Sequence, residues 1–268
     1  MYRNFDDETL ECEYSPASRV PDVQIYLDSY ATRGVIAREM IKHQRINYGD
    51  HKDEWLWYAP SVGAEHETLI IFVHGGFWRR LSADDGTFLT PGWHDSGYSV
   101  ASINYSLCPS EPLDVLVDQT RRAIEFLSSR HSPARTVLIG HSAGAHLVAM
   151  AMCHAVSTEF GGAILVSGIF DLEPIIFTSV NNAVKLNPSS ARRLSPIHRA
   201  ADAPNTPILV IWGENETDEF KRQSSEFATA WSTVPGHNVA TTAEISSRNH
   251  FDILDELTTS SVMDLLGA

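Results

Sequence analysis

The sequence has few cysteines, few basic residues and no long hydrophobic run. Its 268 residues include Cys12, Cys108 and Cys153, an odd number that fits free thiols in a reducing compartment better than a disulfide framework. The formal net charge of −14 argues against nucleic acid or an anionic membrane as a partner. No apolar stretch is long enough to span a bilayer, and the first residues lack the basic and apolar regions of a signal peptide. We therefore expect a cytoplasmic protein with neither nucleic-acid nor membrane partners.

What the sequence does contain suits one large α/β domain spanning residues 1–268. Hydrophobic residues make up 43% of the chain, and this length can bury a large core. Strands that are buried on both faces read as continuous apolar runs, and helices as apolar residues three or four positions apart. Strands are predicted at 68–74, 98–105, 135–139, 162–167, 207–212 and 239–245, and helices at 113–129, 145–152, 219–231 and 251–266. This alternation predicts a mostly parallel, doubly wound sheet flanked by helices.

Three segments lie outside this alternation. Residues 1–45 are predicted to form an N-terminal arm, irregular over 1–20, and a helix over 23–43. An early strand is expected within 45–59. Residues 170–205 contain four prolines and no regular pattern, so we expect a small cap insertion that covers a binding cleft. The helix is expected to bury a set of apolar residues, namely Ile25, Leu27, Tyr30, Val35, Ile36 and Met40.

The strongest chemical signal is the pattern Gly-x-Ser-x-Gly centred on Ser142. It follows the strand at 135–139 directly and is followed by helix formers, which is the setting of a nucleophile elbow. Such a serine needs a sharp, strained turn, and a Cβ at Gly140 or Gly144 would crowd the neighbouring strand and helix. The turn leaves the N–H of Ala143 at a helix N-terminus, where it can bind an oxyanion.

A serine nucleophile needs a base, and His250 is the best candidate. It comes just after the last predicted strand and before the last helix, where a base can reach over the edge of the sheet. His237 precedes its strand and so belongs to the other end of the sheet. His198 lies in the insertion.

The acid that orients the base is less clear from the residues alone. Carboxylates follow the strand at 207–212 at positions 214, 216, 218 and 219. Glu214 lies too close to the strand, and Glu219 already belongs to the next helix. Glu216 and Asp218 therefore stay open, with Asp171 after the preceding strand as an outside candidate.

A second glycine-rich turn follows the strand at 68–74. The two adjacent glycines, Gly75 and Gly76, allow backbone N–H groups to approach a substrate oxygen without interference from a Cβ. We predict an oxyanion hole formed by Gly75, Gly76, Phe77 and Ala143.

Together these motifs resemble the kynurenine formamidase (arylformamidase) branch of the α/β-hydrolases, which adjoins the hormone-sensitive-lipase-like esterases. The resemblance rests on His-Gly-Gly-Phe-Trp, Gly-His-Ser-Ala-Gly-Ala-His-Leu, Phe-Lys-Arg-Gln-Ser and His-Phe-Asp, in this order over roughly residues 68–260. It implies an α/β-hydrolase fold and a Ser-acid-His triad on Ser142 and His250. Family members carry the acid four residues before Phe220; that position is Glu216 here, where an aspartate is common. The resemblance therefore favours Glu216 over Asp218.

The expected function is hydrolysis of a small N-formyl aryl amide or aryl ester through an acyl-enzyme. The substrate pocket is expected to include five side chains, Phe77, Trp78, Tyr105, His146 and Phe170. No spacing such as His-Glu-x-x-His is present, and we expect no metal and no cofactor. The alternatives are a general carboxylesterase for other small esters and a ligand-binding protein without activity. The expected partner is the small-molecule substrate, and the sequence leaves open whether the protein forms a homodimer.

Overall fold

The computed structural model describes residues 2–62, 68–132, 135–154 and 159–258. In these residues eight strands form one sheet. They are β1 (Gln44–Asn47), β2 (Trp55–Ala59), β3 (Leu69–Val73), β4 (Ser99–Ile103), β5 (Thr136–His141), β6 (Gly162–Val166), β7 (Ile208–Gly213) and β8 (Thr241–Ile245). Their order across the sheet is β1-β2-β4-β3-β5-β6-β7-β8. The strands from β4 to β8 in this order run parallel to one another. Strand β2 pairs antiparallel with β4, and β1 pairs antiparallel with β2. The prediction of a mostly parallel α/β-hydrolase sheet is confirmed.

Helices cover both faces of the sheet. They are α1 (Asp7–Glu13), α2 (Gln24–Met40), α3 (Ala83–Gly86), α4 (Thr90–Asp95), α5 (Leu113–Ser128), α6 (Ala143–His154), α7 (Asn181–Val184), α8 (Pro188–Arg193) and α9 (Asp218–Ser232). Apolar residues of α5, α6 and α9 pack with one face of the central strands. Residues of α2, α4 and the 3₁₀ helix Asp252–Thr258 pack with the other face. Alternate residues of β3, such as Ile70 and Ile71, belong to these two cores, which explains its continuous apolar run. Among the described residues no helix is both long and apolar enough to cross a membrane.

The N-terminal segment is more regular than its sequence predicts. Asp6 caps α1 by accepting a 2.8 Å hydrogen bond from the N–H of Thr9, and Leu10 and Tyr14 are buried in the main core. The prediction of an irregular arm over 1–20 is therefore wrong. A short capped helix can form here because tertiary burial, rather than helix propensity, supplies its stability.

The prediction of the buried face of α2 is also largely wrong. Tyr30, Gly34 and Ala37 are its buried residues, Leu27 is half-buried, and the other predicted members are exposed, namely Ile25, Val35, Ile36 and Met40. The helix approaches its neighbour through a small residue, because a Cβ on Gly34 would lie 2.5 Å from the carbonyl oxygen of Asp84. Close backbone packing therefore decides which face is buried.

Three other segments differ from the prediction. Residues 45–59 hold two antiparallel strands, β1 and β2, joined by a turn in which the N–H of Tyr48 donates to the carbonyl of Glu54. The stretch at 170–205 contains α7, α8 and three short 3₁₀ helices. The closing helix predicted at 251–266 is a 3₁₀ helix over Asp252–Thr258, and the remainder of that prediction lies outside the described residues. The three cysteines are free thiols, as expected.

Candidate active site

Ser142 occupies the sharp turn between β5 and α6. Its φ of 54° is in the left-handed region, where a residue with a side chain is strained. A Cβ on Gly144 would lie 2.0 Å from the carbonyl oxygen of Val73, and one on Gly140 would lie 2.5 Å from that of Gly144. Both positions therefore require glycine. The N–H of Ser142 donates to the carbonyl of Val166 at 2.8 Å, which ties the turn to the neighbouring strand β6.

His250 lies in the loop after β8 and is bonded to Glu216, which follows β7. The Nδ1 of His250 donates to Oε2 of Glu216 at 2.8 Å, and both side chains are buried. The other carboxylate oxygen, Oε1, accepts from the hydroxyl of Ser167 at 2.6 Å and from the N–H of Gly213 at 2.7 Å. Because a carboxylate accepts the Nδ1 proton, the Nε2 of His250 carries the free lone pair that a general base needs.

The other candidate acids have different partners. Asp218 is exposed and is the first residue of α9. Asp171 accepts a 3.3 Å hydrogen bond from the hydroxyl of Tyr2. Glu219 is bonded to Arg222 and Tyr14 on the far side of the helix start. In the described part of the chain, Glu216 is thus the carboxylate that contacts His250.

The other candidate bases also lie elsewhere. The Nε2 of His237 contacts the carbonyl of Ala203 at 3.0 Å, and its ring packs against Trp231. His198 is exposed at the end of a 3₁₀ turn in the 170–205 stretch.

The predicted oxyanion loop packs directly on the serine turn. A Cβ on Gly75 would lie 3.1 Å from the Cβ of Ser142. Gly76 has a φ of 100° and Phe77 a φ of 49°, so the chain turns sharply after β3. The N–H groups of Gly76 and Phe77 donate to no described residue outside this loop. Ala143 opens α6, so its N–H has no acceptor one turn back in the helix. These donors are free to bind a substrate oxygen.

Two neighbouring side chains hold the oxyanion loop in shape. The Nδ1 of His74 donates to the carbonyl of Gly75 at 2.9 Å, and the hydroxyl of Tyr105 donates to the carbonyl of His74 at 2.7 Å. The two rings stack with centroids 4.2 Å apart. Both are buried, and this fixes the direction in which the loop's N–H groups point.

Three buried histidines surround the serine turn without carrying charge. Burial lowers the pKa of His74 and of His146 to about 4 and that of His141 to about 3. Each ring contacts a backbone carbonyl: His74 that of Gly75, His141 that of His250 and His146 that of Leu194. Near neutral pH these rings therefore act as neutral hydrogen-bond donors.

A cavity of about 250 Å³ opens at Ser142 and His250. Phe77, Arg79 and Arg80 of the oxyanion loop form one wall. Most of the remaining wall comes from the N-terminal segment, namely Glu11, Tyr14, Ser15, Pro16, Ala17, Val23, Leu27 and Tyr30. The stretch at 170–205, expected to be the cap, contributes Val180. The N-terminal segment therefore covers the site.

The predicted substrate pocket needs correction. Phe77 lines the cavity. The four other residues predicted for the pocket are buried in the protein interior and do not line the cavity, namely Trp78, Tyr105, His146 and Phe170. The Nε1 of Trp78 donates to Nδ1 of His146 at 3.1 Å, so both side chains point away from the cavity. Phe170 stacks on Phe227 with ring centroids 4.2 Å apart. Aromatic residues next to a motif are thus used for packing here.

Several contributors to the site were missed from the sequence. Ser167 binds the acid, and Tyr14 lines the cavity. The signal for Ser167 was its place at the end of the strand predicted at 162–167, the next predicted strand after the elbow. For Tyr14 no local signal exists, because an acidic arm at the start of a chain carries no pattern that predicts a binding wall.

Comparisons with known proteins identify related chains. A family model described as BD-FAE matches residues 57–169. The kynurenine formamidase of Danio rerio is 31% identical over 96% of this chain and 93% of its own length. That of Salmo salar is 33% identical over the same shares.

Solved structures share the fold at low identity. One from Silicibacter sp. tm1040 has a TM-score of 0.85 at 22% identity and covers 97% of this chain and 99% of its own. A hyperthermophilic esterase of Pyrobaculum calidifontis has a TM-score of 0.73 at 17% identity, covering 92% of this chain and 94% of its own. Because the two fish relatives are at least 31% identical and are each matched over nearly their whole length, the chain belongs to the kynurenine formamidase family of α/β-hydrolases.

Proposed function

We propose that the protein is a serine hydrolase that cleaves an N-formyl aryl amide or a small aryl ester through an acyl-enzyme. One observation carries the proposal: the strained Ser142 lines the same cavity as His250, and His250 is bonded to the buried Glu216. The names of the fish relatives support a formamidase among the possible hydrolases. A ligand-binding protein without activity would have no need for a strained serine beside an oriented histidine.

The proposed reaction assigns one residue to each step. The Oγ of Ser142 attacks the carbonyl carbon while Nε2 of His250 takes the hydroxyl proton. The same proton then passes to the leaving amine or alcohol as its bond to the carbonyl carbon breaks, which leaves an ester on Ser142. Water attacks this ester while His250 takes its proton, and His250 then returns that proton to the Oγ of Ser142 as the bond between Oγ and the acyl carbon breaks and the acid leaves. Glu216 stabilises the imidazolium formed in both halves and keeps the Nδ1 proton in place.

The oxyanion is stabilised by backbone donors in this proposal. The free N–H groups of Gly76, Phe77 and Ala143 come from two turns that pack against each other. Such donors are fixed before the reaction, so they bind the developing negative charge without reorganising. Gly75 contributes by allowing the close approach of the two turns.

The cavity wall carries positive charge that has no ionic partner. Arg79 and Arg80 form no ion pair with a carboxylate in the described residues, although the chain has a net charge of −14. The Nε of Arg79 is buried and has no hydrogen-bond partner there. Glu11, in the same cavity wall, already accepts a 2.7 Å hydrogen bond from the N–H of Ser179. A guanidinium held in this way favours an anionic ligand, so we include substrates whose leaving group carries a carboxylate.

An active-site-directed organophosphonate tests the proposal. We expect it to label Ser142 alone and to stop turnover of an N-formyl anilide, because only an activated serine attacks such a reagent at a useful rate. The Ser142→Ala protein should be neither labelled nor active. Full activity of Ser142→Ala, or labelling at another residue, would overturn the proposal and favour a ligand-binding role.

A further inference from the structure

His141, the residue before the serine, contacts three parts of the candidate site. Its Nε2 lies 2.8 Å from the backbone carbonyl oxygen of His250. Its Nδ1 lies 3.1 Å from the place where a Cβ on Gly75 would be, at the base of the oxyanion loop. Its backbone leads directly into Ser142. One side chain therefore lies between the nucleophile, the oxyanion loop and the base.

The contact with His250 defines the proton state of the ring. A carbonyl oxygen only accepts, so Nε2 of His141 must carry hydrogen. Burial, and next the nearby His250, hold the pKa of His141 at about 3, so the ring is neutral near pH 7. The proton therefore sits on Nε2, and Nδ1 bears none.

Other bonds restrain the loop of His250 on either side of the base: the N–H of Asn215 donates to the carbonyl of Arg248 at 2.8 Å, and the hydroxyl of Tyr30 donates to that of Phe251 at 2.6 Å. The loop follows β8, an edge strand whose residues are exposed or half-buried. Glu214 binds the loop through the N–H of Ser247 at 2.7 Å, but this carboxylate is exposed. The bond from His141 is buried and comes from the central strand β5. It ties the edge of the sheet to its middle.

We propose that His141 is a positioning residue for the catalytic base: its Nε2–H holds the backbone of His250 so that the imidazole faces Ser142. The inference rests on the proposed function and adds a role that no part of the triad supplies. The ring centroids of the two histidines are 4.9 Å apart, so an uncharged ring at 141 also spares the imidazolium at 250 from repulsion. A misplacement of about 1 Å can cost about 100-fold in rate, which is the size of effect to expect.

Two amide variants separate the hydrogen bond from simple packing. The amide nitrogen of His141→Gln falls near the place of Nε2 and can reach the His250 carbonyl, whereas that of His141→Asn falls near Nδ1 and cannot. We expect kcat for the N-formyl anilide to fall about 100-fold in His141→Asn and less than about 10-fold in His141→Gln, with KM changed little in both. The rate of phosphonate labelling should follow kcat.

His43 provides a matched control remote from the cavity. Its Nδ1 lies 2.8 Å from the carbonyl oxygen of Ile41, so His43→Gln, whose amide nitrogen falls near Nε2 and not near Nδ1, removes a histidine–carbonyl bond of the same kind. We expect thermal unfolding to start lower in this variant while kcat changes less than about threefold. An equal loss of kcat in His141→Gln and His141→Asn, or no loss in either, would overturn the proposal.

Proton NMR gives a readout that does not depend on activity. The Nδ1 proton of His250, bonded to Glu216, should give a low-field resonance in the unmodified protein and in His141→Gln. It should be lost or strongly broadened by exchange in His141→Asn. An unchanged resonance in His141→Asn would overturn the positioning role of His141. The proposed function is tested separately, by the reaction of Ser142 with the phosphonate.

Discussion

Glu216 and His250 are joined by a 2.8 Å hydrogen bond between two buried side chains that lie 34 residues apart in the chain. Glutamate is one methylene longer than aspartate, the residue that the family resemblance implies as common at this position. Its second oxygen is held by Ser167 and by the N–H of Gly213, so the longer side chain is as firmly fixed as a shorter one would be. The departure from the family pattern is therefore accommodated by local hydrogen bonds.

Replacing this acid tests its role. We expect Glu216→Gln to keep the fold but to lower kcat by ~10³ to 10⁴, since an amide at this position no longer enforces the required tautomer of His250. Asp218→Asn is the matched control, because that carboxylate is exposed and should cost less than about threefold. Steady-state rates on one substrate decide it. A larger loss in Asp218→Asn would assign the acid to Asp218.

The size of the acyl group separates a formamidase from a general carboxylesterase. Phe77 lines the cavity beside the free N–H donors, where we expect it to restrict the acyl side, whereas Trp78 lies in the core. We expect kcat/KM to fall steeply from aryl formate to acetate to butyrate after correction for intrinsic reactivity, by ~10- to 200-fold for each clashing step. Phe77→Ala should flatten the series. A flat or rising series in the unmodified protein would indicate a carboxylesterase with a roomy acyl pocket.

The guanidinium of Arg79, which forms no ion pair among the described residues, predicts a charge preference. Arg79→Met keeps most of the stem and removes the charge, so KM should rise ~10- to 100-fold for an aryl ester whose leaving group carries a carboxylate. The neutral ester of the same shape is the control and should change less than about threefold. Equal changes for both esters would show that Arg79 does not read substrate charge.

The three neutral histidines predict a loss of stability in mild acid. The pKa values of His74, His141 and His146 are lowered to between about 3 and about 4 by burial, against about 6.5 in an unfolded chain. As the pH falls below 6.5, these histidines are protonated in the unfolded chain but stay neutral in the folded chain, so the free energy of unfolding decreases.

Each of these histidines should raise the equilibrium constant for unfolding about tenfold for every unit by which the pH falls from 6 to 4. Urea titrations at several pH values measure this dependence. His146→Gln should reduce the slope by one proton. A stability that stays level down to pH 4 would contradict the burial argument.

The sequence by itself determined those features that depend on neighbouring residues. The apolar runs of β3 to β7 identify buried parallel strands, because both faces of such a strand must be apolar. The glycines around Ser142 identify the elbow, since the turn excludes a Cβ on either side. The chain order of serine, acid and histidine followed from the same alternation of strands and loops.

Only the tertiary structure decided which of these residues meet. Glu216 rather than Asp218 contacts His250. Helix α9 begins at Asp218, and this residue is exposed at the surface. The cavity wall comes from the N-terminal segment and not from 170–205, and aromatic residues beside the motifs fill the core. Even the direction of His141, one residue from the serine, depends on where the loop after β8 comes to lie. Such contacts join segments far apart in the chain, and they are set by packing, on which local patterns carry no information.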